Sequence, residues 1–84
     1  MERPGEKIVT VDVREDIRQG REPFGKIMAA VDRLQSDETL LLVVSFEPLP
    51  LYRVMAQNGF THCAEQTAAG DWKIYFRREA GHIH

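Results

Sequence analysis

Short β-branched runs alternate along the chain with segments whose apolar residues recur at helical spacing. Residues 7–13 are β-branched and predict a first strand. After Glu22-Pro23, where a proline in the first turn favours a helix start, apolar residues follow at helical spacing. They are Phe24, Ile27, Met28, Val31 and Leu34. Residues 14–21, between strand and helix, predict a polar loop.

The rest of the chain predicts three strands and one more helix. Residues 39–46 are apolar on both faces, which is typical of a central strand. Glu47-Pro48-Leu49-Pro50 interrupts that run, and a second helix is predicted over residues 51–58, with Gly59 after its end. Residues 60–66 and 72–78 predict two further strands, joined by a turn into an antiparallel hairpin.

This order of elements predicts the fold class α/β, of the α+β type. The order is β-α-β-α-β-β, and short crossovers favour a two-layer sandwich in which two helices lie on one face of a four-stranded mixed sheet. We expect a single domain over residues 1–84 with an ordered core over about residues 7–78, a loose lead-in before it and a frayed tail after it.

One face of such a sheet has no helix over it. The apolar residues predicted on that face are Leu41, Val43, Ile8 and Tyr75. An exposed apolar patch there would favour a homodimer through the open sheet face. The alternative is that long neighbours such as Lys73 and Arg77 shield these side chains.

Composition narrows the class of protein. The 84 residues include 11 Lys+Arg and 13 Asp+Glu, with a net charge of −2, which argues against a general nucleic-acid binder. A single cysteine excludes an internal disulfide and favours a reducing compartment. No apolar run reaches the ~20 residues of a membrane span, and the first residues lack an apolar signal core, so a cytoplasmic location is expected.

Several short motifs together resemble a known family. They are Asp12-Val13-Arg14, Glu22-Pro23-Phe24, Glu38-Thr39-Leu40, Glu47-Pro48-Leu49-Pro50-Leu51-Tyr52, Gly59-Phe60 and Gly70-Asp71-Trp72. Over about residues 7–78 the chain resembles the TusA-like (SirA-like) fold group and, within it, the family of domain of unknown function 2249. The resemblance implies the same β-α-β-α-β-β sandwich.

The resemblance also indicates what the chain lacks. TusA-like sulfur carriers hold a Cys-Pro-x-Pro motif at the start of the first helix, where the helix dipole favours a thiolate. Those cysteine and proline positions fall on Gly20 and Arg21 here, so sulfur carriage at that position does not carry over. The family implies an accessory protein found beside hemerythrin-like domains and nitrogen-oxide respiration systems.

Two segments carry candidate ligand or partner residues. Arg14, Arg18 and Arg21 surround the predicted helix start and, with its amides, could hold a small anion; the alternative is a solvated loop in which Asp12 pairs with Arg14. Glu22 lies in the same loop. Glu47 and Tyr52 follow the second strand, at the end where parallel α/β sheets place ligands, although the neighbouring prolines have a sufficient structural role.

The thiol and the histidines allow further interpretations. Cys63 is either a sulfur carrier or redox thiol, or a small buried residue of a strand, which its alternating neighbours favour. Adjacent strand residues face opposite ways, so His62 and Cys63 do not readily share a metal ion, and His82 and His84 lie in the predicted tail.

The sequence therefore predicts a non-enzymatic accessory or binding domain. Its partner would be a protein or a small anionic ligand, bound by the two segments above, in a redox or nitrogen-oxide context. No catalytic residues, metal site or cofactor are expected, and neither a nucleic acid nor a membrane is an expected partner. The alternative function is sulfur transfer or thiol redox chemistry at Cys63.

Overall fold

The computed structural model describes residues 7–79, which form one four-stranded sheet flanked by helices. The strands are β1 (Lys7–Asp12), β2 (Glu38–Val44), β3 (Phe60–Gln66) and β4 (Trp72–Arg78). Their spatial order is β1-β2-β4-β3, with β1 parallel to β2 and the other pairs antiparallel. The mixed sheet is therefore confirmed. The predicted lead-in and the tail with His82 and His84 lie outside the described residues.

Residues 7–79 contain three helices where the pattern predicted two. They are α1 (Arg14–Arg18), α2 (Phe24–Arg33) and α3 (Leu49–Gln57). The prediction of a loop throughout residues 14–21 was wrong for α1. Its acidic residues lie in the first turn and Arg18 in the last, which suits the helix dipole, and Ile17 packs against the core. A single helical turn carries too little periodicity to be read from the sequence.

The core lies between one face of the sheet and the helices α2 and α3. Leu40 and Leu42 of β2 and Ile74 and Phe76 of β4 are fully buried on that face. The inward residues of the helices are buried as well: Ile27 and Val31 from α2, and Leu51 and Met55 from α3. These contacts establish the two-layer arrangement.

On the other face of the sheet, Ile8 is exposed and Tyr75 is half-buried. Val43 is only 9% exposed and Leu41 is half-buried, although neither lies on the face that packs against α2 and α3. Lys73, a long side chain, is the cross-strand neighbour of Val43, in line with the shielding weighed above. Within the described part of the chain, no helix has the length and apolar character to cross a membrane.

The strand ends gather the candidate residues at one end of the sheet. β1 and β2 run parallel, so their carboxyl ends meet there, and the start of β4 joins them because Val44 is in register with Trp72. α1, the start of α2 and the start of α3 all follow from this end. The seven predicted surface residues therefore lie in or beside its loops.

Candidate functional site

Arg14 joins the end of β1 to the start of β4. Its guanidinium binds Asp12 through two hydrogen bonds, at 3.0 and 2.7 Å, and Asp71 through a third at 2.8 Å. We call these three residues the arginine clamp. The hydrogen bonds raise the pKa of Arg14, with Asp12 the larger cause, and the bond from Arg14 lowers the pKa of Asp12.

A cleft of about 650 Å³ opens beside the arginine clamp. Arg18 and Ser45 line it together with the three clamp residues. Arg18 itself pairs with Glu15 at 2.7 Å. Charged side chains therefore contribute to the lining of the cleft, but both of its guanidinium groups already face carboxylates.

Arg21 lies in a separate charged cluster. Asp16 accepts hydrogen bonds from Arg21 at 3.1 Å and from Lys26 at 2.9 Å, and these bonds lower the pKa of its carboxyl, with Lys26 the larger cause. Lys26 also donates to the backbone carbonyl of Asp12 at 3.2 Å. Each of the three predicted arginines is thus paired with acid.

Glu22 closes the amino end of α2. Its carboxylate accepts hydrogen bonds from the backbone amides of Phe24 at 2.7 Å and Gly25 at 3.2 Å. These are the amides that the sequence predicted as part of an anion site. The protein's own carboxylate already satisfies them, as a capping side chain does at other helix starts.

Glu47 and Tyr52 contact each other at the start of α3. The Tyr52 hydroxyl donates to Glu47 at 3.2 Å, and its ring stacks on His62 of β3 at a centroid distance of 3.8 Å. Burial, and then the bond to Glu47, raise the pKa of Tyr52 to about 12. The phenol therefore stays protonated as a donor across the neutral range.

An apolar groove runs between the starts of α2 and α3. Its volume is about 210 Å³, and its walls are almost entirely carbon. Phe24 and Phe46 stand at its sides. The other residues lining the groove include Val13, Pro23, Pro48, Pro50, Leu51 and Val54. Three of them adjoin predicted site residues in the chain, because Val13 precedes Arg14, Pro23 follows Glu22 and Pro48 follows Glu47.

Two exposed aromatic side chains line this groove. Among residues 7–79, the large apolar side chains that are exposed are Ile8, Phe24, Phe46 and Leu49. Phe24 and Phe46 line the groove, and Leu49 lies between two of its prolines in the chain. The sequence leaves open whether the open sheet face exposes an apolar patch or is shielded by Lys73 and Arg77, and it does not predict this groove. The Pro48-x-Pro50 spacing with a preceding phenylalanine was the signal that could have found it.

Cys63 is free and exposed on β3, so the interpretation as a small buried residue was wrong. β3 is an edge strand, and a mid-strand cysteine there is not covered by a further strand. Between residues 7 and 79, no group of three His, Cys, Asp or Glu side chains is placed to hold a metal ion.

Comparison with known protein families identifies a family model that matches most of the chain. A family model described as "Uncharacterized conserved protein (DUF2249)" matches residues 10–78. No curated protein and no solved structure matches the chain.

Proposed function

The chain belongs to the uncharacterised conserved protein family DUF2249, and from its geometry we propose that it is a non-enzymatic binding domain for another protein. The observation that carries this proposal is the apolar groove with the exposed side chains of Phe24 and Phe46 in its lining. Exposed apolar patches beside a formed groove mark interaction sites more often than scattered apolar residues do.

The pairing of charges favours a protein over a small anion. An anion at the predicted site would compete with Asp12 and Asp71 for Arg14 and with Glu22 for the α2 amides. Breaking those bonds costs free energy that a single phosphate or carboxylate would have to replace. The groove offers no comparable competition, because its walls present almost no polar atoms.

The chemistry of the groove also defines the partner segment. An apolar side chain, aromatic or branched aliphatic, would fill a space of this size and composition. Three charged residues that lie close to groove residues in the sequence are engaged within the domain, since Glu22 caps α2, Lys26 binds Asp16 and Glu47 accepts from Tyr52. Binding should therefore depend on apolar burial and change little with salt.

We predict that Phe46→Ser abolishes capture of the partner, while Ile8→Ser does not. Both residues are exposed, but only Phe46 lines the groove. The measurement is quantitative mass spectrometry of proteins retained by each immobilised variant, followed by calorimetry with the purified candidate. Phe46→Ser should weaken the affinity at least about tenfold, as expected for an interface anchor.

Two results would contradict the proposal. One is a set of retained proteins that is the same for the wild type and for Phe46→Ser. The other is an affinity that falls steeply as salt rises, which would assign the binding to the charged cleft beside Arg14.

The exposed thiol supports a second candidate function, sulfur transfer at Cys63 in the redox context that the family resemblance implies. In that reaction the thiolate takes the outer sulfur of a donor persulfide, and the donor leaves as a thiol. This function predicts that a low-molecular-weight persulfide adds the mass of one sulfur to the wild type and not to Cys63→Ser. It also predicts that the native thiol reacts with iodoacetamide faster than the same thiol in the unfolded chain. A native rate no faster than the unfolded rate would count against it.

A further inference from the structure

Within residues 7–79, the backbone hydrogen-bonding groups along the outer edge of β3 are unused. β3 pairs with β4 on one side, and none of the described strands lies on its other side. Two hydrogen bonds, one at each end of the β3–β4 hairpin, determine which backbone groups of β3 point to β4. The Thr67 amide donates to the Asp71 carbonyl at 2.7 Å, and the Glu79 amide donates to the Gly59 carbonyl at 2.8 Å. Both pairs continue the register that joins Cys63 to Tyr75.

Because the backbone groups of an antiparallel strand alternate in direction, the residues of β3 divide into two sets. Thr61, Cys63 and Glu65 direct their amides and carbonyls to β4. The other residues direct theirs outward: Phe60, His62, Ala64 and Gln66. Among residues 7–79, no hydrogen bond reaches these outward backbone groups.

The opposite edge of the sheet, β1, carries lysine side chains that hinder pairing with another chain, and β3 carries none. On β1, the Lys26 ammonium covers the outward carbonyl of Asp12, and Lys7 places a further charged side chain on the strand. Lysines and other charges at an edge are the usual protection against pairing with another chain. β3 contains no lysine, arginine or proline, and Thr61, His62 and Cys63 are exposed along it.

We propose that β3 pairs antiparallel with β3 of a second copy of this chain, about a two-fold axis at Cys63. This register joins two four-stranded sheets and uses all seven residues of β3. It also keeps the helices of both copies on the same side of the joined sheet, because residues of equal parity face each other.

The charges of the facing side chains are compatible in that register. The one charged residue of β3, Glu65, faces Thr61 of the second copy and not its own counterpart, so no like charges meet. Since Cys63 directs its backbone to β4, the two Cys63 residues form a non-hydrogen-bonded pair. Opposed Cα atoms in such a pair lie about 4.5 Å apart, within the range of a disulfide.

Cys63 therefore reports on the register in a cross-linking experiment. Mild oxidation with diamide should link two copies of the wild-type chain through Cys63. The matched control is Cys63→Ser combined with Thr61→Cys, which moves the thiol by two positions on the same exposed face. Two such thiols would lie about 13 Å apart along the strands, out of disulfide reach, so cross-linking should be at least about tenfold slower.

Amide exchange and a charge variant test the pairing without a disulfide. In Cys63→Ser, raising the protein concentration should slow exchange of the His62 and Ala64 amides, which face outward, and leave the amide of residue 63 unchanged. Thr61→Glu should weaken dimerisation, and Thr61→Lys should strengthen it, each roughly three- to tenfold, because residue 61 then faces Glu65 of the second copy.

Three results would overturn the proposal. One is sedimentation as a monomer up to the solubility limit. Another is cross-linking of residue 61 as fast as that of residue 63. The third is a dimer whose His62 and Ala64 amides exchange as fast as in the monomer, which would assign the interface to another surface such as the open sheet face.

Discussion

At the scale of single residues, Arg14 connects two parts of the chain that are far apart in sequence. It joins the carboxylate of Asp12, at the end of β1, to that of Asp71, which precedes β4 and lies 57 positions after Arg14 in the chain. Without it, Asp12 and Asp71 would face each other as like charges. The arginine clamp therefore holds the carboxyl end of β1 to the start of the last strand.

We predict that Arg14→Ala lowers the urea midpoint about twice as much as Arg18→Ala does, because Arg18 has one partner on its own helix, whereas Arg14 has two, one in β1 and one just before β4. The difference between wild type and Arg14→Ala should depend on pH. The pKa of Asp12 is lowered in the folded protein. Its contribution to stability is therefore present above the pKa of the unfolded chain and is lost as pH falls.

The expected difference in stability between the wild type and Arg14→Ala therefore has its full size at neutral pH and becomes smaller below about pH 4. Urea unfolding at several pH values measures it, with Arg18→Ala as the control. An equal effect of Arg14→Ala at pH 3 and pH 7 would contradict the assigned role.

Of the arginine clamp, only the pair of Asp12 and Arg14 could be predicted from the sequence. Asp12 and Arg14 are two residues apart after a strand, so their pairing follows from local spacing. Asp71 enters only because β4 lies beside β2, which the order of elements along the chain does not fix. For the same reason the stacking of Tyr52 on His62 joins two residues that the sequence analysis treated separately.

At the scale of elements, the start of α2 depends on a residue outside the helix. Pro23 holds the position before the first helical residue and offers no side-chain hydrogen bond, so Glu22 serves as the cap. The Glu-Pro-Phe motif therefore has a structural reason in this chain. Its carboxylate meets two amides and also the positive end of the helix dipole.

We expect Glu22→Ala to destabilise the protein by about 1 kcal/mol, the usual effect of losing a helix cap. Asp32→Ala, at an exposed position of the same helix, is the matched control and should change stability by less than about 0.5 kcal/mol. Thermal or urea unfolding measures both variants. Equal effects of the two changes would mean that the Glu22 hydrogen bonds contribute nothing in solution.

The elements differ in how well the pattern predicted them. β3 and β4 have the predicted bounds, because Gly59 precedes β3 and turn residues separate it from β4. β2 ends at Val44, two residues before the predicted end, and Phe46 then turns to the groove. The apolar character of Phe46 indicated burial in a strand, and its position in a binding groove depends on how α2 and α3 are placed.

At the scale of the whole molecule, the two proposed contact surfaces are separate. The apolar groove lies between α2 and α3, beside the carboxyl end of β2, whereas the free backbone groups lie along the outer edge of β3. Pairing through β3 would leave the groove of each copy open. A dimer would then offer two grooves, and a partner with two apolar segments would bind more tightly than one with a single segment.

The position of β4 inside the sheet has a consequence for synthesis. The last strand to leave the ribosome is the one that binds both β2 and β3, and it supplies the buried Ile74 and Phe76. Before it emerges, β1 and β2 form only a two-stranded pair, which is not stable alone. The nascent chain therefore exposes β2, apolar on both faces, until residue 78 is free, and folding of the domain is completed only after nearly all of it has been made.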